Sequence, residues 1–335
     1  MKLAVGFITY NEASAGYLAD FLPSLENALH FLAEPDYQVY VFDNSPFGHD
    51  LNRRALESFN IGAASFAAPR RPLRILAEGR NLGFSRAYNI LIDAAKRDQA
   101  EYFLVINPDT ILEPDALEKL VAALDDQASL GSVSPKILRW DFMTGAKTTV
   151  IDSLGLTLRP GLQFFDLGQG LEDWGKFDQA AILGPSGAAG LFRLSALDRA
   201  AKVDHESGGR EYFDERFFMY KEDCDLAYRL FLAGYESALV ADAIIYHDRT
   251  ASSSGRGLWR QIKDRFRKSR AVRSWSFKNQ HLIFVKYWKE QNLTNKSLII
   301  FRIFFMFIFA LILEQFLLKQ YFYIGREIKG LTNIK

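Results

Sequence analysis

The chain has 335 residues, 49% of them hydrophobic, with a formal net charge of +1. That suits about two domains, or one large α/β domain with an appendage, and excludes a disordered chain. The single cysteine, Cys224, excludes an intramolecular disulfide and fits a reducing compartment.

The elements follow from hydrophobic spacing. Met1 to Phe7 is too short an apolar run for a signal peptide, and Lys2 to Thr9 reads as a buried strand. It ends at Tyr10-Asn11-Glu12. Gly16 to Leu32 is a helix, with Leu18, Phe21, Leu22, Leu25 and Leu29 at helical spacing. Tyr37 to Phe42 is a second strand stopping at Asp43-Asn44-Ser45. Leu73 to Ala77 is a third strand, Gly83 to Arg97 a helix, and Tyr102 to Ile106 a fourth strand. Asp115 caps a helix over about Ala116 to Asp126. Such alternation predicts a mostly parallel sheet flanked by helices. Ligands of such sheets bind beyond the carboxyl ends of the strands, where Thr9 to Glu12, Asp43 to Ser45 and Asn107 to Thr110 fall.

After Ser132 the pattern changes. Val133 to Trp140 and Asp152 to Leu158 read as shorter strands. Gly184 to Gly190 is a run of small residues that lets backbone approach a ligand closely. Ser237 to Ala241 and Ile244 to His247 read as strand. The charge is unevenly placed. Arg256 to Lys289 holds eleven Lys/Arg against one acid, Asp264, a net of +10, leaving −9 for the remainder. A block this basic suits phosphate groups or an anionic membrane surface. Ser297 to Ile324 is rich in Phe, Ile and Leu, but Arg302, Glu314 and Gln315 make a membrane-spanning reading marginal. A helix lying in the interface beside the basic block fits better, and a helix packed on the main domain or on a dimer partner is the other reading. The division expected is residues 1–255 and a helical extension, 256–335.

The chemistry concentrates in Phe213 to Arg229. Helical spacing begins at Glu222, so Asp223 falls in the first turn, where the helix dipole favours a carboxylate. A carboxylate beside aromatic rings at a helix start is a candidate general base. Asp225 and Arg229 are four apart and can pair. Asp43 suits a nucleotide base or ribose, Asp109 suits Mg²⁺ or Mn²⁺, which prefer oxygen donors, and His247 can join such an ion.

Together these pieces resemble a family-2 glycosyltransferase of the GT-A fold, most like the bacterial rhamnosyltransferases, over about residues 2–250. The matching stretches are Thr9-Tyr10-Asn11, Asp43-Asn44-Ser45, Asn81 to Asn89, Asn107-Pro108-Asp109, Gly187 to Arg193, Phe213 to Arg229, and His247 with Ser252 and Ser253. The resemblance implies a nucleotide-sugar site of Thr9, Asn11, Asp43, Asn81, Arg86, Asn107, Asp109 and Arg229. It implies an acceptor side of Gly187, Glu222 and Asp225, Asp223 as base, and a metal on Asp109 and His247. Asn107 stands where the family's Asp-x-Asp motif has its first acid. It implies a dTDP- or UDP-linked donor, most similarly dTDP-rhamnose. The acceptor would be a lipid-linked or growing polysaccharide at the cytoplasmic side of a bacterial inner membrane. A dehydrogenase is excluded by the absence of Gly-x-Gly-x-x-Gly after the first strand. Nucleic acid is not expected, because the aromatics of the basic block sit as helix-face residues. A non-catalytic assembly subunit of the same fold is the alternative, and Asn107 is its best argument.

Overall fold

The computed structural model describes residues 1–32, 36–63, 71–203, 209–248 and 265–332. Ser252, Ser253, Trp259 and the 256–264 part of the basic block lie outside these residues.

The first part alternates as expected: β1 (Leu3–Thr9), α1 (Asn11–His30), β2 (Tyr37–Asp43), α2 (Leu51–Ala63), β3 (Arg74–Ala77), α3 (Gly83–Arg97), β4 (Tyr102–Ile106), β5 (Thr110–Leu112) and α4 (Ala116–Asp126). A strand-rich stretch follows: β6 (Leu130–Asp141), β7 (Ala146–Ser153), β8 (Leu156–Arg159), β9 (Gln163–Asp166) and β10 (Ala189–Arg193). Next come α5 (Leu194–Ala200), β11 (Lys202–Val203), β12 (Arg210–Glu211), α6 (Glu222–Leu232) and β13 (Glu236–His247). The chain then runs through α7 (Arg270–Lys286), α8 (Leu293–Leu313), a 3₁₀ turn (Gln315–Leu317) and α9 (Leu318–Thr332).

Side chains alternate across a strand, so each central strand feeds two cores. Leu3, Val5, Phe7, Val39, Val41, Tyr102, Leu104 and Ile106 pack on α1 and α4. Ala4, Tyr40, Phe42, Phe103 and Val105 pack on α3, α5 and α6. The sheet has nine strands in the order β3-β2-β1-β4-β10-β6-β13-β5, with β7 on β6. Strands β1 to β4 pair in parallel, as do β6 and β13. Strand β10 is antiparallel to β4 and β6, β13 to β5, and β7 to β6. The sheet is therefore mixed rather than mostly parallel. Parallel pairing needs a crossover such as α1 or α3, whereas β10 enters after the β8–β9 hairpin and runs the other way.

Two expected elements divide differently. Asp152 to Leu158 spans the end of β7 and the start of β8, because Gly155 turns the chain at φ 110°. The apolar C-terminal run breaks at Glu314, which is buried and held by Arg265 Nε at 3.0 Å and Arg273 Nη1 at 2.5 Å. A third core joins β8 and β9, the loop residue Phe217, Cys224, Ala227 and Tyr228 of α6, Leu282 to Phe284 of α7, and Ile299 of α8.

Candidate active site

The carboxyl ends of the parallel strands meet at one edge. Thr9 and Asp43 are register partners there. Buried Asp43 accepts on Oδ1 from Thr9 Oγ1 at 3.0 Å, Ser45 N at 3.1 Å and Ser45 Oγ at 2.6 Å. These bonds fix the carboxylate through one oxygen, so Oδ2 can accept from a ligand. Asn11 takes a left-handed φ of 47°. Its N–H donates to Ser45 Oγ at 2.9 Å, and its carbonyl accepts from Asn52 Nδ2 at 2.7 Å. Asn52, on α2, carries no signature in the sequence.

At the end of β4, Asn107 N–H donates to Ala188 O at 2.9 Å. The antiparallel pairing of β13 with β5 sets His247 opposite Thr110 and so beside Asp109. His247 Nε2 lies 3.3 Å from Asp109 Oδ1, and its Nδ1 lies 2.8 Å from Asp152 Oδ2. Burial opposes a charge on His247, but Asp109 and Asp152 outweigh it and push the imidazole up to about 10. Asp152 was not apparent in the sequence. It arrives from β7, 95 positions from its partner, with no local motif.

These residues fit a divalent ion. Asp109 Oδ1 is buried and has no hydrogen-bond partner among the described residues. Oxygen and nitrogen ligands at about 2.1 Å, roughly at right angles around one ion, stand about 3 Å apart, close to the Asp109–His247 spacing. The carboxylate–histidine pair of Asp152 and His247 orients the ring as outer partners of metal ligands do. Among the described residues no group of three or more His, Cys, Asp or Glu is placed to hold a metal ion together. Mg²⁺ or Mn²⁺ would therefore take two protein ligands, with diphosphate oxygens and water completing its shell, as Mg²⁺ sites commonly do.

Asp223 stands opposite, in the first turn of α6. Its Oδ2 accepts from Gly187 N–H at 3.1 Å and its Oδ1 from Cys224 N–H at 2.7 Å. Gly187 adjoins Ala188, whose carbonyl receives the Asn107 N–H, so one short run of small residues links Asp223 to the end of β4. Glu222 is buried, and burial with the neighbouring Asp223 charge pushes its carboxyl well above the usual range. Asn11 Oδ1, Asn52 Oδ1, Ser186 Oγ and Glu222 Oε2 are further buried oxygens without a hydrogen-bond partner among the described residues. Buried oxygens of this kind can accept from a ligand.

The remaining expected site residues stand at the turn into α3 or inside the fold. Asn81 Oδ1 caps Gly83 N–H at 2.8 Å, and Asn44 brackets the same turn through Leu82 N–H and Gly83 O. Gly83 is required: its φ is 77°, and a Cβ would meet Phe218 O at 2.3 Å. Arg86 is exposed on the first turn of α3, at the same edge. Asp225 and Arg229 pair at 2.8 Å, but inside the fold. Arg229 also donates to Ala200 O and Tyr212 O, both at 2.5 Å, which directs its guanidinium away from the nucleotide side. Fully buried Asp225 accepts from Lys286 Nζ at 2.6 Å and Tyr287 OH at 2.7 Å, so it does not face an acceptor.

Comparison with known proteins agrees with this geometry. The family described as Glycosyl transferase family 2 matches residues 4–175. N-acetylglucosaminyl-diphospho-decaprenol L-rhamnosyltransferase, from two strains of Mycobacterium tuberculosis, is 31% identical over 214 residues. That match covers 58% of this chain and 65% of the relatives' length. The crystal structure of GalNAc-T7 with UDP, GalNAc and Mn²⁺ superposes with a TM-score of 0.55 at 11% identity, over 85% of this chain and 47% of that one. This places the architecture in the GT-A fold. The chain belongs to the family-2 glycosyltransferases.

Proposed function

We propose that the protein is an inverting, metal-dependent glycosyltransferase that moves rhamnose from dTDP-rhamnose to a lipid-linked saccharide of a bacterial cell-surface polysaccharide. The observation that carries the reading is the placement of Asp223 across the Gly187–Ala188 link from Asp109 and His247. The rhamnosyltransferase relatives support the sugar and the lipid-linked acceptor.

Asp43 holds the nucleoside through its outer oxygen. Asp109 and His247 hold the ion, which when bound supplies Lewis-acid neutralisation of the diphosphate. Asp223 takes the proton from the acceptor hydroxyl as that oxygen attacks the anomeric carbon. The bond to the diphosphate breaks from the opposite face, so a single displacement inverts the centre. Positive charge on the sugar ring resembles that in glycoside hydrolysis, and no carboxylate nucleophile is needed.

The acceptor's lipid suggests where this happens. Helix α8 is long and apolar enough to cross a membrane, and 11% of its most apolar window is buried. One face is fastened to the β8–β9 hairpin: Arg302 Nη1 donates to Gly161 O at 2.6 Å, and Gly161 N–H to Asn295 Oδ1 at 3.2 Å. The opposite face presents Ile300, Phe301, Phe304, Phe305 and Ile312. A helix held sideways and apolar outward suits a peripheral position in the cytoplasmic interface, with the basic residues of α7 near anionic headgroups.

The test is a donor screen with Mn²⁺ or Mg²⁺, reading thermal shift and nucleoside diphosphate release for dTDP- and UDP-sugars. Stabilisation and slow hydrolysis with dTDP-rhamnose, lost on chelation, are expected. No stabilisation by any sugar nucleotide would overturn the reading.

A further inference from the structure

The loop that delivers Asp223 is held by a helix more than fifty positions further along the chain. Tyr220 and Lys221, just before α6, take left-handed backbone angles, φ 72° and 75°. Neither is glycine, and side chains rarely adopt this region. Consecutive residues of this kind persist only where the surroundings hold them, and such strain gathers at working sites.

The holding group is Asn279 of α7. Its Nδ2 donates to Met219 O at 2.9 Å and to Tyr220 O at 2.6 Å. Asn279 is fully buried, and its Oδ1 has no hydrogen-bond partner among the described residues. The described bonding of this amide is thus directed at two carbonyls of the strained loop. The same helix adds Lys278 Nζ to Arg216 O at 3.0 Å, and Trp275 packs on Phe218 with ring centroids 5.1 Å apart.

We propose that Asn279 is a positioning residue for sugar transfer, aiming Asp223 by fixing the Tyr220–Lys221 backbone. The proposal rests on the reading of Asp223 as the base. Without the clamp, Tyr220 and Lys221 relax toward right-handed angles, and the first turn of α6 reorients. Asp223 then shifts relative to Gly187 and to the acceptor hydroxyl. The nucleotide-side groups Thr9, Asp43, Asp109 and His247 stand on or beside β1, β2, β4 and β13, whose paths do not include this loop. The loop meets the start of α3, where Phe218 O accepts from Phe84 N–H at 2.8 Å, so the loss falls more on turnover than on donor binding.

The test uses the full chain, dTDP-rhamnose and a short-chain N-acetylglucosaminyl-diphosphoryl lipid, reading release of dTDP. Asn279→Leu is expected to lower kcat by about 10- to 100-fold, the scale of an ångström-level misplacement, with the donor KM within about twofold. Gln280→Ala is the control. Gln280 is buried on the same helix but donates to Leu162 O, away from the loop. It should keep kcat whatever it costs in stability. Lys221→Gly in the Asn279→Leu background should restore most of kcat, because glycine holds a left-handed angle unaided. Nucleotide-induced thermal shift reports that each variant is folded, and Asn279→Ser replaces Asn279→Leu if the latter does not fold. Wild-type kcat in the Asn279 variants sinks the proposal. So does a loss matched by Gln280→Ala and not restored by glycine. Asp223→Asn, run alongside, separates the two levels: full turnover there removes the base assignment itself.

Discussion

The two sides of the site use carboxylates in opposite ways. On the nucleotide side, Asp43 is held by hydroxyls and a backbone N–H, and Asp109 keeps a buried oxygen without a hydrogen bond among the described residues. Behind the acceptor side, in the packing of α6 against α7, Asp214 is held by Arg216 and Lys286, and Asp225 by Arg229, Lys286 and Tyr287. Asp43, with only neutral partners, is aimed and left free to bind, whereas Asp214 and Asp225, each set between two cations, are structural braces. Within Glu222-Asp223-Cys224-Asp225, three acids that look alike divide into a buried carboxyl pushed upward by its burial, a part-exposed carboxylate held by two backbone N–H groups, and a brace. The difference lies in what the fold sets opposite each one.

The contrast breaks most sharply at Asp223. Asp223→Asn should keep donor-induced thermal stabilisation and lower transfer by about 10²- to 10⁴-fold, the usual worth of a general base. Wild-type turnover would remove it from the mechanism.

The next largest effect belongs to the braces. Lys286→Met leaves Asp214 and Asp225 short of a cation and should cost about 3–5 kcal/mol in urea unfolding, as for a broken buried pair. Burial opposes ionisation of Asp214, but Arg216 and Lys286 overcome it and hold its carboxyl well below the usual range. Asp225 is likewise lowered, by Lys286 and Arg229 against its burial. Depressed folded-state values mean that this stabilisation is complete above about pH 4 and is lost as pH falls through the folded values. Acid unfolding of Lys286→Met should begin at higher pH than in the wild type. An unchanged acid limb would show that the braces carry no net stability.

Asp152→Asn sharpens the comparison from the other side. It removes a charged partner of the His247 ring and should weaken Mn²⁺ activation by about 10- to 100-fold, and it also lowers stability, because the buried ring loses one of the two carboxylates that favour its charge. Calorimetric titration with Mn²⁺ and the nucleoside diphosphate reads this, and unaltered affinity would dissociate His247 from the ion. The smallest effect on turnover is expected at the outer face of α8. Phe301→Ser with Phe305→Ser should release the protein from anionic vesicles while transfer in detergent stays near wild type. Retained flotation, or a change of oligomeric state instead, would assign that face to a second copy.

Sequence reading reached the elements whose signals are local. Helices α3 and α4 and strand β4 have the expected limits, because apolar spacing and turn residues bound them on both sides. Asp43, Asp109, His247 and Asp223 were legible because each closes a strand or opens a helix, where a polar residue stands out against an apolar run. Helix α2 was passed over, since the apolar residues of Leu51 to Ala63 form no clear stripe and, among those whose burial is described, only Leu56 is fully buried. Asp152 and Asn279 were invisible for another reason. Each acts on residues roughly sixty to a hundred positions away, through contacts that only the finished fold creates. Arg229 was read as a brace or a phosphate ligand; its three engaged nitrogens leave the brace.

The brace at Lys286 and Tyr287 has a consequence for how the molecule comes into being. A chain is made from its N-terminus, and domains tend to fold in that order. The nucleotide side has all of its residues once His247 has left the ribosome. The acceptor side at that moment has Asp214 and Asp225 short of a cation and Tyr220 without its clamp. On the proposed reading, every nucleotide-side residue is thus in place before α7 brings the groups that brace α6 and aim Asp223.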